Sequence, residues 1–420
     1  MAATLFKRHF GCTPTHVVGA PLGITLLGDS AECNESLVLS VAVNRFIQIA
    51  SAPRADGKVE LVCAGFTERE SFWLSDLRRN PTAPWADGVK NVIEQLRRRG
   101  ASLSGFSAAI CDDARPGAGS GGPAALAVAA ALTLRRLFPF SLTETSVAVP
   151  PKRNAQGGLP PLARGEKLHF ARLCQAAGIE LPGASFGLVE PVSSMLGKAW
   201  HVMSIDLRFR TVEHAPMIGE VIVVCDTGMA ADHGRNDRHS GVGAMTAGRI
   251  SEVRSSEAKM GWSRSDFASS CESAAGKLGA KTMRLVELRF LEANKSKLTP
   301  REYACARHAV SETQRVVFAE RALQAEDHRQ VGQFMFQSHE SSRDGLKHSS
   351  PECDLLVELA RLHPGCLGAR RCGGGPGVAT INLVAYHQAE SFMQQMARRY
   401  LESTGLPLQP IVCQVAGGAG

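Results

Sequence analysis

The first fifty residues alternate short apolar runs with turns. Residues 16–18, 23–27, 37–43 and 46–51 are rich in Val, Ile and Leu, a pattern that predicts strands, paired antiparallel. Val89, Val92, Ile93 and Leu96 recur at helical spacing within 85–99, and Gly100 follows as a stop signal. Residues 105–111 alternate as a strand. Next comes Arg115-Pro-Gly-Ala-Gly-Ser-Gly-Gly-Pro123, followed over 124–137 by strong helix formers. Strand, glycine-rich loop and helix in that order leave backbone N–H groups beside a helix N-terminus, and Pro123 suits the first turn. Such a run reads either as an anion cradle or as a tight turn that merely starts a helix.

Further along, 150–165 is rich in Pro, Gly and Asn and reads as a surface loop before a helix at 166–177. Strands are expected at 201–209 and 220–226, a polar glycine-rich loop at 228–261, and mostly helix over 267–362, where Val316, Ala319 and Leu323 share a helical face. A second glycine-rich loop at 368–377 precedes a strand at 379–385 and a helix at 388–404. These elements divide into an N-terminal domain, 1–206, and a C-terminal domain, 207–420, and no repeat of fixed period runs through them.

Composition narrows the class. With 420 residues, 44% hydrophobic and 21% charged, the chain is a folded, water-soluble protein with a sizeable core. The net charge of +7 is spread along the chain, and the clusters Arg97, Arg98, Arg99 and Arg135, Arg136 read as solvated helix ends, so nucleic acid is not an expected partner. Twelve cysteines without a Cys-x-x-Cys pair read as reduced and buried, which points to the cytoplasm. Lys7 and Arg8 interrupt any signal-like run, and no apolar stretch approaches the roughly eighteen residues of a membrane span. No His, Cys and Asp set has metal-ligand spacing, and His308 and His339 read as core hydrogen-bonding groups.

Two glycine-rich loops and an acidic cluster, Gly-Asp-Ser-Ala-Glu at 28–32, suit a small-molecule kinase without a Walker lysine. Here the chain resembles the galactokinases, members of the superfamily named for galactokinase and homoserine, mevalonate and phosphomevalonate kinases. The family's first motif, Ala-Pro-Gly-Arg-Val-Asn-Leu-Ile-Gly-Glu-His-Thr-Asp-Tyr-Asn, matches Ala20-Pro-Leu-Gly-Ile-Thr-Leu-Leu-Gly-Asp-Ser-Ala-Glu-Cys-Asn34. The second, Gly-Ala-Gly-Leu-Ser-Ser-Ser-Ala-Ala-Leu, matches Gly117-Ala-Gly-Ser-Gly-Gly-Pro-Ala-Ala-Leu126. The third, Gly-Ala-Arg-Met-Thr-Gly-Gly-Gly-Phe-Gly, matches 368–377. Met195-Leu-Gly-Lys198, Ala306-Arg-His-Ala-Val-Ser-Glu312, Ser338-His-Glu-Ser-Ser-Arg-Asp344 and Ser350-Pro-Glu-Cys-Asp-Leu-Leu-Val-Glu-Leu359 extend the likeness from Phe10 to the C-terminus.

The resemblance implies two α+β domains, the first like ribosomal protein S5 domain 2 and the second ferredoxin-like, with the active site in the cleft between them. It implies ATP and Mg as cofactors and phosphorylation of galactose or a related sugar at the anomeric hydroxyl. Glu190, in Gly187-Leu-Val-Glu-Pro191, takes the place of the catalytic Asp. Asp29, Ser30, Glu32 and Gly187 fall at sugar-binding positions; Trp85, Gly117, Gly119, Gly121 and Gly122 at nucleotide-binding ones; Gly373, Gly374 and Gly375 in the second glycine loop. A sugar-site Tyr falls near Arg264.

The chain is a divergent member with altered motifs. The motif-one Arg falls at Gly23. The three motif-two serines, one of them a Mg ligand, become Gly121, Gly122 and Pro123, and the acidic Mg ligand falls at Gly178, with Glu180 two residues away as a substitute. Two functions follow: a sugar kinase that lacks several parts, or a catalytically silent relative that uses its cleft to sense sugar or nucleotide or to contact a partner protein.

Overall fold

The computed structural model describes the chain apart from residues 30, 113–120, 146, 152–157, 182–185, 228–263, 373–378 and 420. The expected polar loop at 228–261 therefore lies outside the described residues, as do Ser30, Gly117, Gly119, Gly373, Gly374, Gly375 and the side chain of Arg264.

A short helix, α1 (Ala2–Phe10), leads into β1 (His16–Leu27) and β2 (Leu37–Pro53), which pair antiparallel from His16 opposite Ser51 to Leu27 opposite Leu39. The four predicted apolar runs are thus two long strands. Along its other edge β2 takes β5 (Phe106–Asp112) and then β8 (His201–Asp206). β3 (Lys58–Cys63), β4 (Glu70–Trp73) and β9 (Thr211–Pro216) complete the sheet in the order β4-β3-β5-β2-β8-β9, with β3 and β5 parallel. Residues 207–209, expected in strand, instead turn the β8–β9 hairpin. The Asp206 carboxylate accepts the backbone N–H groups of Arg208 and Phe209 at 2.9 and 3.0 Å, which ends the ladder there.

Helices α2 (Asp87–Arg98), α3 (Gly121–Leu137), α4 (Arg164–Ile179) and α5 (Val189–Leu196) cover this sheet, and a two-strand hairpin, β6 (Ser141–Leu142) with β7 (Ala148–Val149), lies between α3 and α4 in the chain. The core they close includes Leu22, Leu26, Leu39, Ile93, Val128 and Phe170. Arg135 departs from the expected solvated helix end. It is buried, donating to the carbonyl of Pro160 at 3.2 Å with Glu166 4.0 Å away, because α4 packs over the last turn of α3.

The second sheet is β10 (Glu220–Asp226), β11 (Cys366–Cys372), β12 (Ala379–Ala385) and β13 (Ile411–Cys413), in the antiparallel order β11-β12-β10-β13. Helices α10 (Pro351–Arg361) and α11 (Ala389–Thr404) bury Leu356, Phe392 and Tyr400 against it. Between β10 and β11 in sequence run α6 (Arg264–Lys277), α7 (Leu288–Ala293), α8 (Pro300–Gln324) and α9 (His328–Glu340), which bear out the expected helical region. α8 starts from a capping box in which Thr299 and Glu302 bond reciprocally. The first half of the expected second glycine loop is strand, a correction with a steric cause. A Cβ on Gly368 would lie 2.2 Å from the carbonyl oxygen of Gly332 in α9, so this glycine lets helix and strand backbones touch. The chain then returns to the first sheet, where Val415 bridges Val43 and the Ala416 N–H reaches the Ala42 carbonyl. The molecule is α+β, with two sheets each carrying helices.

Candidate active site

The turn after β1 is held by a buried carboxylate 284 residues away. Gly28, at φ +96°, donates its N–H to Glu312 Oε1 at 2.9 Å, and Ser338 donates its hydroxyl to the same oxygen at 2.8 Å. Burial alone would raise the Glu312 pKa, but Arg315 at 2.8 Å, His308, Arg370 and the Gly28 N–H together hold it well below the usual carboxylate range. His308 is pushed down to about 4 by burial and hydrogen-bonds Ser341 at 2.9 Å. His339 accepts the Arg371 N–H at 3.3 Å and faces Asp354 at 3.2 Å, so both histidines serve the core as read from the sequence.

Asp29, beside Gly28, receives two guanidinium groups from β11. Arg370 donates to its Oδ2 and to the Leu26 carbonyl, and Arg371 Nη1 lies 3.3 Å from the same Oδ2. Asp29 is 25% exposed and Arg370 1%. These arginines and Glu312 are absent from the site residues expected from the sequence. The signal for one was present: motif three reads Arg-Arg here where the family has Arg-Met.

Glu32 sits in a 3-10 turn, Ala31–Asn34, and points across to α5. Its Oε1 accepts the N–H groups of Leu188 and, at 3.1 Å, Val189, so a carboxylate stands at the positive end of that helix. Gly187 is buried beneath it, where a Cβ would fall 1.7 Å from Glu32 Oε2. Glu190 follows in the first turn of α5, 8% exposed, and its charge helps raise the Cys372 thiol to about 11, after burial and together with Asp29.

Gly23, the motif-one Arg position, lies against this helix. A Cβ built on it would stand 2.7 Å from Ser193 Cβ and 2.9 Å from the Glu190 carbonyl oxygen. Ser193 is fixed in turn, donating to the Val189 carbonyl at 2.7 Å with its hydroxyl 2.6 Å from that of Ser40. From the other side, a Cβ on Gly121 would meet the Gly23 carbonyl at 2.7 Å, whereas one on Gly122 would meet nothing within 4 Å. The N-terminus of α3, the middle of β1 and the first turn of α5 therefore meet backbone to backbone.

Of the positions where the resemblance places Mg ligands, Gly178, Gly121 and Gly122 carry no side-chain oxygen. At Gly178 a Cβ would fall 2.5 Å from the ring of Phe186, which occupies the space an acidic side chain would need. Glu180 faces the other way, its Oε1 3.0 Å from Arg98 and 3.1 Å from the Gln95 amide. Among the described residues no group of three His, Cys, Asp or Glu could hold a metal. Trp85, in the turn Pro84–Ala86 ahead of α2, is half-buried on the core with its ring 5.9 Å from that of Phe66. Gly88, one helical turn on, packs against Leu126 of α3.

The two helix-covered sheets and the residues gathered at this site fit a small-molecule kinase architecture. The family described as GHMP kinases C terminal matches residues 319–398. By its structure the chain is similar to Lactococcus lactis galactokinase complexed with galactose, with a TM-score of 0.79, 21% identity, and 100% of this chain and 98% of that one covered. Methanococcus jannaschii mevalonate kinase shares the fold more distantly, at a TM-score of 0.57, 12% identity, and 96% and 98% of the two chains covered. In sequence, the galactokinase of Chloroflexus aurantiacus is 30% identical over 98% of this chain and 95% of its own, and that of Bos taurus 31% identical over 95% and 91%. The chain belongs to the galactokinase family of the GHMP kinase superfamily. No helix among the described residues is long and apolar enough to cross a membrane, and all twelve cysteines are free thiols.

Proposed function

We propose that this galactokinase relative binds a sugar in its cleft and has lost phosphoryl transfer, acting as a sensor of sugar or nucleotide or as the sugar-responsive half of a protein pair. The observation that carries the reading is the closure around Gly23. Where the family places a guanidinium, this chain has no side chain, and Ser193 and the Glu190 carbonyl fill the space. A placed arginine contributes roughly 10³–10⁵ to the rate of phosphoryl transfer in enzymes that use one. The Phe186 ring at Gly178 and the glycines at 121 and 122 support the same reading, because they leave the family's metal-ligand positions without a side-chain oxygen.

In this reading Asp29, Ser30, Glu32 and Gly187 are the residues assigned to the sugar, and galactose or a relative is the occupant. Trp85, Gly121 and Gly122 flank a nucleotide such as ATP, along with Gly117 and Gly119. Gly373, Gly374 and Gly375 close the second loop. The division of the chain near residue 206 and a cytoplasmic location belong to the same proposal.

One feature favours a retained sugar 1-kinase: Glu190 is a buried carboxylate at the family's acid position, and its charge and that of Asp29 both act on the Cys372 thiol. ADP release from Mg-ATP, with and without galactose and related sugars, separates the two. A silent protein releases none in a sugar-dependent way yet melts at higher temperature with its ligand. Sugar-dependent turnover overturns the proposal and assigns the acid role to Glu190.

A further inference from the structure

Helix α5 follows Gly187, carries Glu190 in its first turn, and starts at the N–H groups that Glu32 accepts. It is eight residues long, about 12 Å at the usual helical rise, too short to keep its place by its own hydrogen bonds. Contacts with Gly23 and Ser40 press it sideways onto the first sheet. Bonds made by its end groups run along its axis and set its position lengthwise.

At its C-terminal end those bonds come from three distant segments. The Ser194 carbonyl accepts the Ala419 N–H at 2.8 Å, the Met195 carbonyl accepts Lys167 Nζ at 3.1 Å, and the Leu196 carbonyl lies 2.9 Å from His214 Nε2. Lys167, partly buried in the first turn of α4, also donates to the Ala419 carbonyl at 2.9 Å. Its ammonium therefore joins the negative end of α5 to the segment that follows β13. That segment runs so close because Gly418 has no side chain: its N–H reaches the Gly197 carbonyl at 2.7 Å, and a Cβ on it would stand 2.6 Å from the Met195 carbonyl oxygen. Bonds from an ammonium are stronger than those between neutral groups, so Lys167 makes the firmest tie in this joint.

We propose that Lys167 is a positioning residue for the sugar site: it locks α5 lengthwise, and so sets where the opposite end of the helix presents Gly187 and Glu190 and receives Glu32. This rests on the sugar-binding reading above. A two-turn helix moves as a rod, so a slip at Met195 reaches Leu188, and groups that must meet a sugar together lose their preset spacing.

Titration calorimetry of the full chain with galactose and its epimers, beside hydrogen exchange of the amides of 188–197, tests this. Lys167→Met is expected to weaken sugar binding about tenfold with the number of sites unchanged, and to speed exchange at Leu188 and Val189 as well as at the substituted end. Lys167→Arg, which keeps the charge and more than one donor, is expected to recover both. A merely structural lysine would lower the number of sites and leave the affinity of the folded molecules as it was. Gly418→Ala reaches the same joint from the other side and should act in the same direction, which keeps the test decisive should the methionine variant misfold. Unchanged affinity in the folded variants, or a loss that Lys167→Arg does not recover, overturns the positioning role and leaves the sugar-binding reading standing. A wild-type chain that binds none of the sugars overturns that reading, and the role of Lys167 in it falls too.

Discussion

Gly23 and Ser193 touch across 170 residues of sequence so closely that a single carbon added to the glycine would stand 2.7 Å from the serine Cβ. The contact seals the place where the family carries its arginine, and it makes reversal a structural problem as well as a chemical one. Gly23→Ala is expected to destabilise the protein by about 1–3 kcal/mol, the usual cost of overpacking, and Gly23→Arg by more. Gly122→Ser enters open space and should change stability by less than about 0.5 kcal/mol. Urea denaturation of the three variants checks this, and an unchanged midpoint for Gly23→Arg would show that α5 gives way easily.

The metal site should resist single-residue repair for the same kind of reason. Gly178→Asp drives its side chain into Phe186 and is expected to lower stability without creating metal dependence. Paired with Phe186→Ala it has room. Mg titration followed by thermal denaturation should then show stabilisation only in the double variant, and stabilisation of Gly178→Asp alone would contradict the packing described.

Glu32 joins the sugar motif to α5. Glu32→Ala removes the acceptor for Leu188 and Val189 and should cost about 1–2 kcal/mol, as loss of a helix cap does, while Glu32→Gln keeps an acceptor and should cost less. Denaturation midpoints rank the pair. Equal losses would mean that charge, not the hydrogen bond, sets the contribution.

Acid should weaken the fold before the carboxylates protonate. His308 titrates near 4 in the folded protein and near 6.5 unfolded, so the unfolded chain binds the extra proton between those values. Stability from this group is complete above about 6.5 and is lost as pH falls toward 4, in total on the order of 3 kcal/mol, with about 2 of them gone by pH 5. His348, also pushed down to about 4, adds in the same direction. His308→Gln should flatten the pH dependence of the urea midpoint between 7.5 and 5, and an unchanged slope would show that His308 is not the group responsible.

Local pattern made much of this legible. The strand character of β1 and β2, though read as four runs, and the helices α2 and α3 follow from apolar spacing, helix formers and glycine stops, since each depends on its own residues. The family motifs were readable as strings, and so was the doubled arginine at 370–371. What the string does not carry is contact between distant segments. Gly23 against Ser193, Gly178 against Phe186 and Gly368 against Gly332 are steric facts of tertiary packing, and nothing near a glycine in sequence tells a required close approach from a lost side chain. Glu180 looked like a substitute metal ligand by proximity in sequence, yet it caps the end of α4 and turns toward α2. Strand β13 escaped notice because it is three residues long, and β9 because it carries only one buried apolar residue, Val212, and gains its place from β8 beside it.

The most direct test of the account is ADP release by the purified protein at high concentration with Mg-ATP, across galactose and related sugars, beside a thermal melt of the same sample. The account predicts a folded protein that a sugar stabilises and that releases no ADP above its sugar-free background. Sugar-dependent ADP release, even slow, would contradict it.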